Sequence, residues 1–439
     1  MFPEEVTAVL HRLEQAGHQA YMVGGCVRDR LRGVAPDDYD LTTSARPEEV
    51  MALFPGWCIP TGLQHGTVTV RQGEKSFEVT TFRSDGTYTD SRHPDAVYFS
   101  DTLAEDLKRR DFTVNAMAMD VRGELTDLFG GQEDLRAGVL RCVGDPATRF
   151  GEDALRMMRA VRFASVLGFR IEERTAQAIR ENCGLLRNIA VERLQVEMTK
   201  LLCGKDAGEV LMAWPEVLGV FIPEILPCVG LNQRNPHHIY DVWGHIAHSV
   251  DAVPAVPVLR WAMLLHDMGK PACFTVDGAG VGHFHGHAAV STRMAGEIMR
   301  RLRFDNHSLK RTQLLVEWHD RDIPRTEKSV ARALRVLGEE ALRQVILVKR
   351  ADNLAQSPRF RQTQKEIDRG EAILEELLAK EQCFSLRQLA VNGRDLMNLG
   401  LRGRAVGQML EGLLDEVVDG QLPNDREALL HRAGEKVKC

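Results

Sequence analysis

The nine cysteines are scattered over 439 residues, and no two form a Cys-x-x-Cys pair. An odd, dispersed set argues against a disulfide framework and a cysteine zinc site, and points to reduced thiols. Long apolar runs are missing too, so no segment reaches the roughly 20 residues that a membrane-spanning helix requires. The first residues carry Glu4 and Glu5 and lack the basic-then-apolar order of a secretory leader, so a cytoplasmic location is expected. Net basicity is also absent, the formal charge being −6. A nucleic-acid partner would therefore need local basic surface, because phosphate contacts dominate such binding. Internal repeats and low-complexity tracts do not occur.

The chain does have the balance of a globular protein, 44% hydrophobic and 27% charged, and a length beyond one ordinary core. Residues 1–145 alternate short strand patterns with helices. Val68-Thr69-Val70 and Phe77-Glu78-Val79-Thr80, separated by Gln72-Gly73-Glu74, predict a hairpin. From about residue 146 strand signals fade and a 3.6-residue period takes over. Leu155, Met158, Val161 and Phe163 mark the buried side of a helix expected from about residue 151. The stretches 253–257 and 277–286 read as loops. Toward the end, 391–396 and 400–403 read as helix breaks or turns, and Leu410, Leu413, Leu414 and Val417 make an apolar stripe. Segment 136–193 holds eleven Arg against seven Asp and Glu. Arg300, Arg301, Arg303, Lys310 and Arg311 form a second basic candidate.

Chemistry concentrates near the start, where Gly24-Gly25-Cys26-Val27-Arg28-Asp29 precedes Asp38-Tyr39-Asp40. Tyr21-Met22-Val23 reads as a strand entering the glycines, and Leu41-Thr42-Thr43 as one leaving the carboxylates. Residues i and i+2 of a strand share a face, so Asp38 and Asp40 are expected to meet divalent metal from one side. The glycines let backbone N–H groups approach a triphosphate, which the Gly25 backbone and Arg28 are expected to face. A phosphate cradle beside a carboxylate pair predicts nucleotidyl transfer. Farther on, Glu152-Asp153-Ala154-Leu155-Arg156 places an acceptor and a donor three residues apart, on one face if helical. Cytosine and adenine each show an amino donor beside a ring-nitrogen acceptor, whereas uracil and guanine show the reverse. Asp153 and Arg156 are thus expected to accept C and A without a nucleic-acid template.

These stretches, GGCVRD (24–29), DDYDLTT (37–43), RSDGTYTDSRHPD (83–95), KRRDFTVNAMA (108–118) and GEDALRMMRAVRF (151–163), follow one another in a familiar order. The chain resembles the class II tRNA nucleotidyltransferases, the family of CCA-adding enzymes and bacterial poly(A) polymerases. The resemblance covers roughly the first half. It implies an α+β, polymerase β-like head at 1–145, an all-α neck for base selection at 146–205, a helical body at 206–360 and a tRNA-binding helical tail at 361–439. It also implies Mg²⁺ at Asp38 and Asp40, and tRNA, CTP and ATP as partners. Arg109, Arg110 and Asp111 are placed by it at the ribose and phosphates. Arg159 and Arg162, farther along the neck helix, are expected at nucleotide or primer phosphates. Family enzymes that add only CC lack a flexible loop like 83–95, so its presence disfavours that activity. A-only addition and poly(A) synthesis stay open as alternatives to CCA addition.

The second half carries His245, His266-Asp267, His287, His319 and Asp352. His245, His266, Asp267 and Asp352 resemble the ligand set of an HD phosphohydrolase domain, with His287 and His319 as further candidates. The resemblance implies a divalent transition metal, or Mg²⁺ or Mn²⁺, and an alternative function as a phosphohydrolase acting on RNA or nucleotide phosphates. His237, His238, His248, His283 and His285 read as ordinary surface or core histidines.

Overall fold

The computed structural model describes residues 2–85, 97–322, 324–380 and 383–438, and divides into two compact units, Met1–Leu226 and Pro227–Cys439. Most of the loop expected at 83–95 lies outside the described residues.

In the first unit the strands are β1 (Ala20–Val23), β2 (Asp40–Thr43), β3 (Cys58–Gly62), β4 (Thr67–Gln72), β5 (Lys75–Thr81), β6 (Arg83–Asp85), β7 (Val97–Phe99), β8 (Met117–Met119) and β9 (Leu125–Asp127). Seven of them form one sheet in the order β3-β4-β5-β2-β1-β8-β9, while β6 and β7 pair separately. The expected hairpin is β4 and β5, with Val68 opposite Val79 and Gly73 at φ 65° in the turn. β1 runs antiparallel to β2, so Val23, the last residue before the glycines, lies opposite Asp40. That register brings the glycine turn to the carboxylates.

The helix Glu4–Gln15 buries Val6, Val9, Leu10 and Leu13 completely, the i, i+3, i+4, i+7 spacing of a single face. They join Met22, Leu41, Val68, Val70, Phe77 and Val79 in the core beneath the sheet. Beyond residue 146 the unit is helical apart from a two-residue ladder between 139–140 and 170–171. Leu155, Met158, Val161 and Phe163 are buried as expected. The helix does not begin at 151, however: Pro146–Glu152 ends, Asp153 is extended at φ −136° and ψ 101°, and a new helix runs Leu155–Leu167.

The second unit is almost wholly helical. The glycine-rich stretch 277–286 contains one strand of a short antiparallel pair, 275–276 with 282–283. Residues 391–396, read as a helix break or turn, hold the start of a short helix: Asn392 caps Gly393–Asn398 by accepting from the Arg394 and Asp395 N–H groups. Leu413 and Leu414 of the predicted stripe are fully buried, packed with Leu429 and Ala433.

Candidate active site and a histidine-aspartate cluster

Gly24 sits at φ 75° and ψ −132°, a backbone state that side-chain-bearing residues rarely adopt. A Cβ at this position would stand 3.1 Å from a guanidinium nitrogen of Arg110 and 3.8 Å from Asp40 Oδ2. Glycine therefore allows the turn, Arg110 and Asp40 to converge. The helix Gly25–Leu31 starts at once, and a Cβ on Gly25 would lie 3.6 Å from the Arg28 guanidinium.

Asp38 and Asp40 do not share a strand as expected. β2 begins at Asp40, and Asp38 lies in the loop before it, just after a bend at Asp37. Their charges nevertheless interact. Crowding by protein raises the Asp40 carboxyl above the usual aspartate range, Arg110 opposes that, and Asp38 adds to it. Both residues remain accessible to solvent.

The arginines are held by acidic and amide partners. Arg28 donates to Asn115 Oδ1 at 2.7 Å and to Asp29, and its guanidinium lies 5.3 Å from the Phe163 ring centre. Asn115 in turn donates to Asp111, which pairs with Arg159 at 2.6 Å. Burial pushes the Asp111 carboxyl up, but Arg159, Asn115 and the Phe112 N–H together hold it well below the usual range. Arg109 and Arg110 both reach Asp106, at 2.8 and 3.2 Å, and Thr42 of β2 donates to the same carboxylate. Asp106 is fully buried. Sequence reasoning passed over it, although its position three and four residues before the arginine pair was a readable signal.

The neck geometry departs from the expectation of a shared helix face. With Asp153 in the break, its carboxylate accepts from the Leu155 N–H and lies 3.7 Å from Arg193. Arg156 instead donates to Glu152 at 2.9 Å and to the carbonyls of Arg149 and Arg109. Glu152 is thus the residue that holds Arg156, and Arg149 pairs with the same carboxylate. Arg162 is turned onto Glu197 of the helix Val191–Leu202 at 2.6 Å, over the Phe163 ring, rather than toward solvent. Burial lowers Arg162 to about 10, against the opposing effect of Glu197.

In the second unit the six predicted ligands come together. His245 lies on the helix Val242–Ala252, His266 and Asp267 follow Pro257–Leu265, and His287 opens His287–Arg301. His319 ends Asn306–Trp318, and Asp352 lies on Glu339–Leu354. His245 Nε2 is 2.9 Å from Asp352 and 3.2 Å from Asp267, and His287 Nε2 is 3.2 Å from Asp267. Lys270 Nζ lies 2.7 Å from Asp267 Oδ2. A cavity of ≈ 290 Å³ opens onto Asp267, Lys270, His287, His319 and Asp352. His238, His283 and His285, read from sequence as ordinary, also line it. Among the described residues no helix is long and apolar enough to cross a membrane.

Three family models match the chain: the poly A polymerase head domain over 20–141, the probable RNA- and SrmB-binding site of polymerase A over 168–225, and a putative tRNA nucleotidyltransferase domain 2 over 286–433. The CCA-adding enzyme of Limosilactobacillus fermentum is 35% identical over 99% of this chain and 98% of its own length. That of Lactobacillus helveticus is 57% identical over a shorter stretch, 46% of this chain and 50% of the relative. The crystal structure of the Bacillus stearothermophilus CCA-adding enzyme in complex with CTP superposes with a TM-score of 0.75 at 33% identity, covering 100% of this chain and 98% of that one.

Proposed function

The chain belongs to the CCA-adding enzyme family, and from that premise we propose that it extends the 3′ end of tRNA by C, C and A from CTP and ATP. The observation that carries the reading is the convergence of the Gly24 turn, Arg110 and the Asp40 carboxylate, with the charge of Asp38 beside them. Nucleotidyl transfer in this family uses divalent metal. We assign Mg²⁺ to Asp38 and Asp40, whose hard carboxylate oxygens suit it. When bound, the ion lowers the pKa of the attacking 3′-hydroxyl and neutralises phosphate charge.

The chain's own residues do the rest. Gly25, Arg28, Arg109 and Arg110 face the triphosphate and ribose, and Asp106 fixes the spacing of the last two. Asp111 aligns Arg159 for the nucleotide, and Arg162 supports it through Phe163 and Glu197. Asp153 accepts from the amino group of cytosine or adenine, while Arg156 donates to the neighbouring ring nitrogen. Arg156 is already aimed by Glu152, so the carboxylate in the helix break is the partner that adjusts. On this reading 1–145 is the catalytic head, 146–205 the base-selecting neck, and 206–360 and 361–439 a body and tail for tRNA. The enzyme works in the cytoplasm.

A second reading is favoured by the enclosed His-Asp cluster and the cavity beside it. His245, His266, Asp267 and Asp352, with His287 and His319, hold a divalent metal, and the cavity admits a phosphate ester. The Nε2 atoms and carboxylate oxygens there are a suitable donor set for a borderline or hard divalent ion. This activity would accompany nucleotide addition rather than replace it.

The deciding experiment incubates the purified chain with tRNAs lacking CCA, ending in C, or ending in CC, then sequences the products. Complete CCA on the first substrate is expected. Extension of the CC-ended tRNA alone would make it an A-adding enzyme, and long A tails a poly(A) polymerase.

A further inference from the structure

The sheet of the first unit is half covered on the face that bears Asp40. Val23 lies opposite both Asp40 and Ala118, so the three share that face. Leu103 and Leu107 pack with Val23 and Ala118, which sets the helix Leu103–Lys108 over β1 and β8. Arg109 and Arg110 follow that helix directly. The Gly24 turn and Arg28, bonded to Asn115 just before β8, lie on the same side of Asp40.

The other side of Asp40 is open. The strand register runs a continuous row, Asp40, Glu78, Thr69 and Ile59, across β2, β5, β4 and β3. Asp40, Glu78 and Ile59 are exposed and Thr69 is half-buried, whereas Leu41, Val79, Val68 and Val70 of the opposite face are core. The pairing continues one residue before β3, where the Arg71 N–H donates to Trp57 O at 2.7 Å. Trp57 and Arg71 therefore stand beside the row, and Trp57 is 54% exposed. Thr61 with Thr69, and Thr67 with Thr80, pair through their hydroxyls at 2.8 and 3.0 Å and make a flat polar floor. Charge along this face changes from acidic at Asp40 and Glu78 to basic at Arg71.

In-line displacement fixes the directions of the two substrates. The attacking hydroxyl and the departing pyrophosphate stand on opposite sides of the α-phosphorus. With the triphosphate held toward β1 and β8 by Gly25, Arg28, Arg109 and Arg110, the hydroxyl approaches from the β5 side. Resting on the nucleotidyl-transfer reading above, we infer that the last nucleotides of the RNA lie across β5, β4 and β3, with Trp57 stacked on a base and Arg71 at a phosphate. β3 is three strand spacings from β2, roughly 14 Å, a distance that the terminal two or three nucleotides span. An exposed indole beside a guanidinium suits an unpaired base and its phosphate, because stacking accepts every base. Such tolerance fits a primer end that changes after each addition. The competing occupant is a second copy of the chain, pairing at the edge strand β3.

The test compares the full-length parent with Trp57→Ala and Trp57→Phe on tRNA ending in CC. The apparent KM for tRNA should rise about fivefold or more in Trp57→Ala and stay near the parent value in Trp57→Phe, with the KM for ATP unmoved in both. The same tRNA carrying 4-thiouridine third from its 3′ end should crosslink to the parent within residues 57–71 on irradiation. An unchanged KM for tRNA in Trp57→Ala, or a crosslink confined to other segments, would overturn the inference while addition by the parent stands. A dimer in sedimentation that Trp57→Ala dissociates would assign this face to a second copy and overturn it too. A parent that adds no nucleotide would instead overturn the reading beneath. Should Trp57→Ala lose its circular-dichroism signature, the crosslink decides.

Discussion

Asp38 and Asp40 stand exposed at the start of β2, an inner strand of the sheet, with the charges of Arg110 and Arg159 near Asp40, whereas Asp267 is enclosed by four imidazoles and a lysine. The contrast matches what each site must do. A site that admits a triphosphate and an RNA end in every cycle stays open, and much of its order resides in the groups behind it, Asp106, Asn115 and Glu152. The second cluster, proposed to retain an ion, is closed, with the Nδ1 of every imidazole 2.6–3.4 Å from a backbone carbonyl. Openness in the head also leaves Asp40 sensitive to nearby charge, because few direct hydrogen bonds commit it.

The contrast breaks first at Asp106. Replacing it with Ala leaves Arg109 and Arg110 facing an empty buried position, a loss of about 3–5 kcal/mol for a broken buried ion pair. Calorimetry should show a lower-temperature transition in the first unit, with Mn²⁺ binding by the second unit unchanged. An unaltered transition would mean that the arginines are held by other groups. The closed site should respond to metal instead. Mn²⁺ at 100 times its dissociation constant should stabilise the second unit by about 2.7 kcal/mol, and His266→Ala should remove that shift while CTP incorporation continues.

Base selection ranks next. Asp153→Ala should cost about 1–3 kcal/mol of discrimination against UTP and GTP, by analogy with bidentate base contacts, read as the ratio of kcat/KM values. Glu152→Ala should reduce it less, through a misplaced Arg156.

The smallest effect is on pH. A raised Asp40 carboxyl takes up protons at higher pH than an ordinary aspartate, so the acid limb of the kcat/KM profile should lie above the aspartate range. Arg110→Gln removes the charge that opposes this and should move the limb to higher pH. Ionisation of Asp40 also costs the metal-free head stability as pH rises through that raised value, a cost that metal binding offsets.

Much of this was legible in the sequence. The Val68–Thr80 hairpin, the strand before the glycines and the burial of Leu155 to Phe163 followed from local periodicity, which the tertiary fold respected. The six residues of the second cluster, singled out by their resemblance to an HD-type ligand set, lie together in space. The helix break at Asp153 was not legible, because nothing in Gly151 to Ala154 stops a helix outright; on either side of it Arg149 and Arg156 donate to the distant Arg109 carbonyl. The same holds for Asp38, which strand alternation placed on a strand with Asp40 but which lies in the loop before β2. Asn115 and Glu197 were missed because a buried polar group is indistinguishable from a surface one until its partners are in space, whereas Asp106 was betrayed by its spacing to Arg109 and Arg110.

The most direct test of the account is incorporation of labelled CTP and ATP into tRNA lacking CCA, by the parent chain and by Asp38→Asn/Asp40→Asn side by side. The account predicts complete CCA addition by the parent and, in the variant, a loss of roughly 10²–10³-fold or more with the fold intact, in line with removing charge stabilisation at a reacting phosphate. Undiminished labelling by the variant would contradict it.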